Sequence, residues 1–296
     1  MSIDMAGADG EERGSGESLG RRAWRRLARQ PHTMACAAII GVYVLLGVFG
    51  FAGWVPDFQE RVGASYEPPS LMIAKILGTD IFGRSILYKI IMGARTAVVI
   101  GVMVTAIAVP IGMFMGSLAG YYGGRIDSFI VWLYSVVVSV PYILLVLAIS
   151  YLLGEGLTSI CVAMGSVGWV GLCRLIRGEF MKHKGQEYVL ASRLLGAGDG
   201  ILIFRHILPN VFHLAIITAS LTSLNAIMSE VVLTYLGVGI QDGSSWGTMI
   251  ADATGELAQG YWWPLLGVTI ALFLLAYSLN MVGDALRDAL DPKLVD

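Results

Sequence analysis

Six long apolar runs, with most charges gathered between them, constrain this chain more than any other feature. They fall at about 33–52, 96–119, 128–153, 157–175, 211–236 and 262–282, the fourth being shorter and broken by glycine. A membrane span needs about 20 mostly apolar residues. In hydrocarbon each backbone N–H and C=O must find its partner within the segment, so every run is expected to be a helix. Hydrophobic residues make up 56% of the 296 and charged residues 14%, where soluble domains carry about 25% charged residues. This segregation argues against a soluble fold. Cys36, Cys161 and Cys173 lie in or beside apolar runs, where they read as small buried hydrophobes with no disulfide framework. No His or Cys pair has metal-ligand spacing, and no nucleic-acid partner is expected.

Placement of the twenty Lys and Arg residues predicts the orientation. Six precede the first run: Arg13, Arg21, Arg22, Arg25, Arg26 and Arg29. Arg125 lies between the second and third. Arg174, Arg177, Lys182, Lys184, Arg193 and Arg205 lie between the fourth and fifth, and Arg287 and Lys293 follow the sixth. The other side carries five, Arg61, Lys75, Arg84, Lys89 and Arg95, all in one loop. Both termini are therefore expected in the cytoplasm. Trp54, Tyr261, Trp262 and Trp263 then fall at outer boundaries, as an aromatic belt does. The basic stretch 21–29 before the first run also fits a signal peptide. The run is long for that, and no A-x-A-like site follows it. Residues 1–20 are expected to be disordered, and 21–29 either form a surface helix or simply fix orientation.

The segment 187–210, EYVLASRLLGAGDGILIFRHILPN, is polar, punctuated by glycine, and on the predicted cytoplasmic side. Helix formers run up to Leu195. Tyr188, Ala191 and Leu195 share a face, Gly196, Gly198 and Gly200 stop the helix, and Pro209 closes the segment before the fifth run. Small residues at Ala191, Ser192 and Gly196 permit close approach of another surface. From the residues alone, an ordinary interfacial loop and a docking helix stand equal.

The segment resembles the EAA loop of bacterial ABC-importer permeases, E-A-A, three residues, Gly, nine residues, I-x-L-P. Glu187-Tyr188-Val189, Ala191-Ser192-Arg193, Gly196-Ala197 and the run from Arg205 through Leu208-Pro209 to Asn210 match the form typical of dipeptide and oligopeptide permeases. Leu77-Gly78-Thr79-Asp80 with Gly83-Arg84 resembles the LGTD-x-x-GR signature of the C-type subunit, and Gly93-Ala94-Arg95 continues it. Ala119-Gly120-Tyr121, Gly123-Gly124 and Asp127 match an inner turn. Leu236-Gly237, Gly239 and Trp246-Gly247-Thr248-Met249 match an outer segment. Gly283-Asp284, Leu286 through Pro292 and Leu294 match a C-terminal signature. Departures stand at Ser85, Val131-Trp132, Ser135 and 241–245, and they loosen inference of substrate.

The resemblance implies an all-α integral membrane protein with six transmembrane helices and the type I ABC importer permease fold. It implies a heterodimer with a B-type permease, two cytoplasmic ABC ATPases and an extracytoplasmic binding protein, in the bacterial cytoplasmic membrane. Di- or oligopeptides are the implied cargo, with nickel chelates or another small solute as the alternative. The chain has no GxxxxGK[ST] phosphate loop, so it is read as no enzyme and as binding no cofactor; ATP and Mg would be used by the ATPases. The expected layout is a cytoplasmic tail over 1–32, a first span over 33–52, an outer loop over 53–93, a five-helix core over 94–283 with a coupling helix at 186–198, and a tail over 284–296.

Glu230, inside the fifth run, is costly in a bilayer. It is read as lining the path or pairing with the second permease, or else as reaching to the outer interface. Proton coupling needs a relay, and only Glu155 is near. Glycines at 101, 112, 116 and 120 are read as helix-packing contacts. The polar loop 239–260 is expected to expose Trp246 to a soluble partner or the bilayer surface. An ion-coupled secondary transporter predicts midplane charges or inverted repeats, and neither is found. An intramembrane enzyme lacks a nucleophile–base pair.

Overall fold

The structure is a computed structural model, and it describes residues 30–154, 156–239 and 243–290. The expectations for residues 1–29, Glu155 and the last residues of the C-terminal signature lie outside that range. Among the described residues the regular structure is helical, apart from isolated bridges pairing Arg61 with Arg84 and Thr79 with Ser85. Among the described residues five helices are long and apolar enough to cross a membrane, and a bent pair of helices brings the number to six if it forms one span.

Helix α1 spans Pro31–Phe51. Helix α2 spans Ile86–Tyr122, beginning ten residues before the predicted second run. Ser85 sets that start, because its hydroxyl accepts the Tyr88 N–H. Lys89 and Arg95 thus stand on the helix rather than in a loop. Arg95 keeps its charge accommodated, stacking 4.3 Å over the Phe51 ring and donating to the Gly50 carbonyl.

The third run is broken. Helix α3 (Gly124–Ser139) and helix α4 (Tyr142–Leu153) meet at a 93° bend. Pro141 supplies the cause. It forces Val140 into extended backbone (φ −100°, ψ 137°), which no helix can pass through. The fourth run continues beyond 175. Helices α5 (Leu157–Gly168) and α6 (Val170–His183) meet at Trp169 and together form one crossing.

Helix α7 spans Glu187–Leu194. The fifth crossing then starts at Asp199, before the predicted 211, with one turn, a π-helical stretch over Leu202–Ile207, and helix α8 (Leu208–Tyr235). Pro209 therefore lies within a continuous rod rather than before it. It has no N–H to give to the turn behind it, and the wider i→i+5 winding sits just there. Helix α9 (Trp246–Ala258) opens with a capping box between Ser245 and Thr248. Helix α10 spans Trp263–Leu290.

Helix α2 lies at the centre, packed on α1, α5, α6 and α8. Its closest neighbour is α6, and the glycine stripe explains why. A Cβ at Gly112 would lie 2.8 Å from the Trp169 carbonyl oxygen, at Gly116 2.7 Å from that of Cys173, and at Gly120 2.6 Å from that of Arg177. Every fourth residue of one helix thus sits against every fourth carbonyl of the other, the small-residue packing predicted for this stripe. At one end, Tyr43 of α1 donates to the Ala271 carbonyl of α10 at 2.7 Å. A core of Ile86, Ile90, Ile227, Val268 and Leu275 fills the space between.

Candidate coupling face and translocation groove

Helix α7 is short, and a helix of eight residues has little stability of its own. Three features hold it. Glu187 stands in its first turn and Arg193 in its last, each at the favourable end of the helix dipole. Its far end is a Schellman turn. The Ala197 N–H reaches the Ser192 carbonyl and the Gly196 N–H reaches that of Arg193. Gly196 has φ +87°, which a side chain tolerates poorly. The third feature is Val189, fully buried among Phe180, Leu202, Ile203 and Ile207. The predicted face of Tyr188, Ala191 and Leu195 points elsewhere. All three are exposed, and Leu194 and Leu195 each keep 89% of their surface open. Ser192 and Ala197 are half-buried, and Leu208 is half-buried with Pro209 exposed beyond it. Ile201 and Phe204 extend the open apolar surface past the turn.

Polar contacts tie this unit to the crossing helices. The Tyr121 hydroxyl, at the end of α2, donates to Asp199 at 2.6 Å and accepts from Arg193 at 3.3 Å. Tyr188 and the His183 ring hydrogen-bond at 2.9 Å, so α7 is also fixed to the end of α6. Arg177 grips Asp127 through two hydrogen bonds of 2.5 and 2.7 Å, joining α6 to α3. Burial raises the Tyr188 phenol above its ordinary range.

Further along the bundle, the bend between α3 and α4 opens a groove of about 650 Å³ against α6 and α8. Its walls are mostly Val, Gly and Ala. The polar groups are Arg174, Tyr142, Thr222, Asn225 and Ser229. Glu230 does not line it. That carboxylate is only 2% exposed and accepts hydrogen bonds from Thr234 at 2.8 Å and from the Ser245 hydroxyl. Because Ser245 also caps α9, Glu230 joins the end of α8 to the start of α9.

The opposite end from α7 is built on the LGTD segment. One oxygen of the buried Asp80 accepts the N–H groups of Phe82 and Arg84, both at 2.9 Å, and the other accepts from Lys89 at 3.2 Å. Gly83 closes that turn with φ +75°, against the Gly63 carbonyl. Arg84 stacks 4.2 Å over Phe82. Trp246 corrects an expectation, since it is 1% exposed rather than open to a partner. Its indole N–H donates to the Ile90 carbonyl at 3.1 Å, and its ring meets Tyr43 edge-on at 5.7 Å. Start-of-helix geometry drives it inward, where Gly93 leaves room for the ring; Gly247 beside it lies against Thr234. Trp262 is the boundary aromatic that remains exposed, with Trp54.

Residues 108–296 match the family described as binding-protein-dependent transport system inner membrane component. The chain belongs to that family. Among its relatives, the dipeptide transport system permease protein DppC of Bacillus subtilis (strain 168) is 38% identical, over 92% of this chain and 85% of its own. The oligopeptide transport system permease protein OppC of the same organism is 36% identical, over 94% and 90%. The glutathione transport system permease protein GsiD of Pectobacterium atrosepticum is 33% identical, over 93% and 91%. The protein is thus a multi-pass inner-membrane permease subunit of an ABC importer, with the all-α fold its sequence predicted.

For this permease, the sequence offered Val189 and Tyr121 only as motif matches and Arg174 only as an orientation charge, and it gave neither them nor Asn225 a role in the site. Val189 carried a signal, since it is the apolar residue in the first turn that the small-residue face leaves over. Nothing in the sequence gave the partners of Tyr121 or Arg174, because those depend on which helices meet.

Proposed function

We propose that this permease subunit passes di- or oligopeptides across the cytoplasmic membrane, pairing with a second, homologous permease and driven by two ATPases that dock on α7. Both termini and α7 lie in the cytoplasm, and a binding protein delivers cargo at the Trp246 end. The observation that carries the reading is the form of α7: a helix pinned by one buried valine and a Tyr121 clasp, with Leu194, Leu195, Ile201 and Phe204 left open. Leu194 and Leu195, open on a cytoplasmic helix, suit the surface of a partner. Closure of the ATPases would move α7, and through Asp199 and Arg193 it would move the end of α2. The relatives are named for dipeptide, oligopeptide and glutathione transport, and a groove lined mainly by small apolar side chains suits varied cargo. The catalysis of ATP hydrolysis belongs to the ATPases; this chain supplies the path.

A deletion strain should lose uptake of a labelled dipeptide or oligopeptide. Normal peptide uptake with a defect in a nickel-dependent enzyme would move the cargo to metal chelates. A cysteine placed at Leu190 should react only with a membrane-permeant thiol reagent, and one at Ser65 with an impermeant one. The reverse pattern would overturn the orientation and, with it, the coupling role of α7.

A further inference from the structure

One cation stands in the groove. Arg174 is exposed on α6, and among the described residues its charge meets no carboxylate; its guanidinium rests 4.6 Å over the Tyr134 ring. Arg177, one turn on, differs, because Asp127 fully engages it. The stacking fixes Arg174 without neutralising it. On the facing wall, Thr222, Asn225 and Ser229 follow one another at spacings of three and four, a polar stripe along α8. Ser229 is held by Tyr142. Among the described residues, neither Thr222 nor Asn225 has a side-chain hydrogen bond within the chain. The groove thus combines an unpaired guanidinium, a free amide and a free hydroxyl in about 650 Å³, within the range of about 300–1,000 Å³ of small-molecule sites.

Arg174, expected from the sequence in a loop, stands instead on the crossing helix Leu157–His183 and faces the groove. A charge left there without a carboxylate points to a charge that arrives. Peptides of every sequence share one anion, the terminal carboxylate. The planar guanidinium takes a carboxylate through two parallel hydrogen bonds, and an amide N–H adds a third. We propose that Arg174, with Asn225 across the groove, receives the carboxylate of each peptide as it passes. This gives the path a contact common to all its cargo, while side chains meet walls that are mostly Val, Gly and Ala. The proposal rests on the peptide reading above.

The test uses the whole transporter in vesicles, with binding protein saturated either by a labelled dipeptide or by its C-terminal amide. Wild type should import the acid about tenfold faster than the amide, the weight of one charge-assisted pair. Arg174→Gln should import the acid at least about tenfold more slowly than wild type and lose the preference. Arg174→Lys, which keeps the charge without the fork, should fall between. An undiminished preference in Arg174→Gln overturns the proposal. So does loss of the second permease from the purified Arg174→Gln complex, which would assign the guanidinium to an ion pair between subunits. If wild type imports neither form, the peptide reading fails first and the proposal falls with it.

Discussion

Gly116→Ala tests how tightly the central helix is held. The new methyl would lie 2.7 Å from the Cys173 carbonyl oxygen and 2.8 Å from Cβ of Ile176. Ordinary contact begins at 3.4 Å, so α2 and α6 must part by about 0.7 Å, enough to forfeit a large share of the dispersion contacts along the seam. A backbone carbonyl has no rotamer with which to give way. Overpacking of this kind costs about 1–3 kcal/mol, and each kcal/mol moves a melting temperature by about 2–4 °C in a protein of this size class. The purified permease complex, followed by the fluorescence of its tryptophans, should melt several degrees lower. Gly178→Ala is the control. It sits on the same helix pair, but its added methyl meets nothing within 4 Å, and replacing a helical glycine there should be neutral or stabilise by about 0.5–1 kcal/mol. Equal shifts in the two variants would refute the seam.

Tyr121→Phe removes the hydroxyl shared by Asp199 and Arg193 and should leave the complex assembled while binding protein stimulates its ATPase activity less; unchanged stimulation would show that the clasp transmits nothing. Trp246→Phe deletes the donor to the Ile90 carbonyl and should cost about 1–3 kcal/mol in thermal stability, read as a lower melting temperature with α7 coupling intact. Burial raises the Glu256 carboxyl above its ordinary value of 4.5, with Lys89 opposing and Asp80 and Asp252 adding to the rise. A raised folded value means the group's contribution is complete below 4.5 and fades as pH climbs through the raised value. Glu256→Gln should therefore stabilise the complex at neutral pH, and the gain over wild type should vanish towards pH 4.5 in a series of melting curves.

The helical class was legible because hydrocarbon leaves the backbone no other solution, and run length alone reports it. The glycine stripe was legible for a similar reason, since small residues four apart in an apolar run have few other uses. Helix ends were less so. Ser85 and Pro141 act within one or two residues, and averaging over an apolar run conceals them, hence the early start of α2 and the break before α4. Trp246 reads as polar-loop surface because its neighbours are Ser and Gly; only the fold brings Ile90 and Tyr43 beside it. Glu230 carries the same lesson. A lone carboxylate in an apolar run signals cost, but of the two hydroxyls that meet it only Thr234 lies one turn along the same helix, while Ser245 comes from the cap of α9 fifteen residues on.

Pro110 stands inside α2, between the part held by α1, α8 and α9 and the part held by the glycine stripe against α6. It withholds one rung from the hydrogen-bond ladder where the two grips meet. A rod clamped at both ends flexes at its missing rung. From Pro110 to Tyr121 is about 16 Å at 1.5 Å per residue, so a tilt of about 10° there carries the Tyr121 hydroxyl's end about 3 Å sideways. The Trp246 end need not follow. The two ends of the permease would then be joined through a joint rather than a stiff bar, and one could tilt while the other kept its shape.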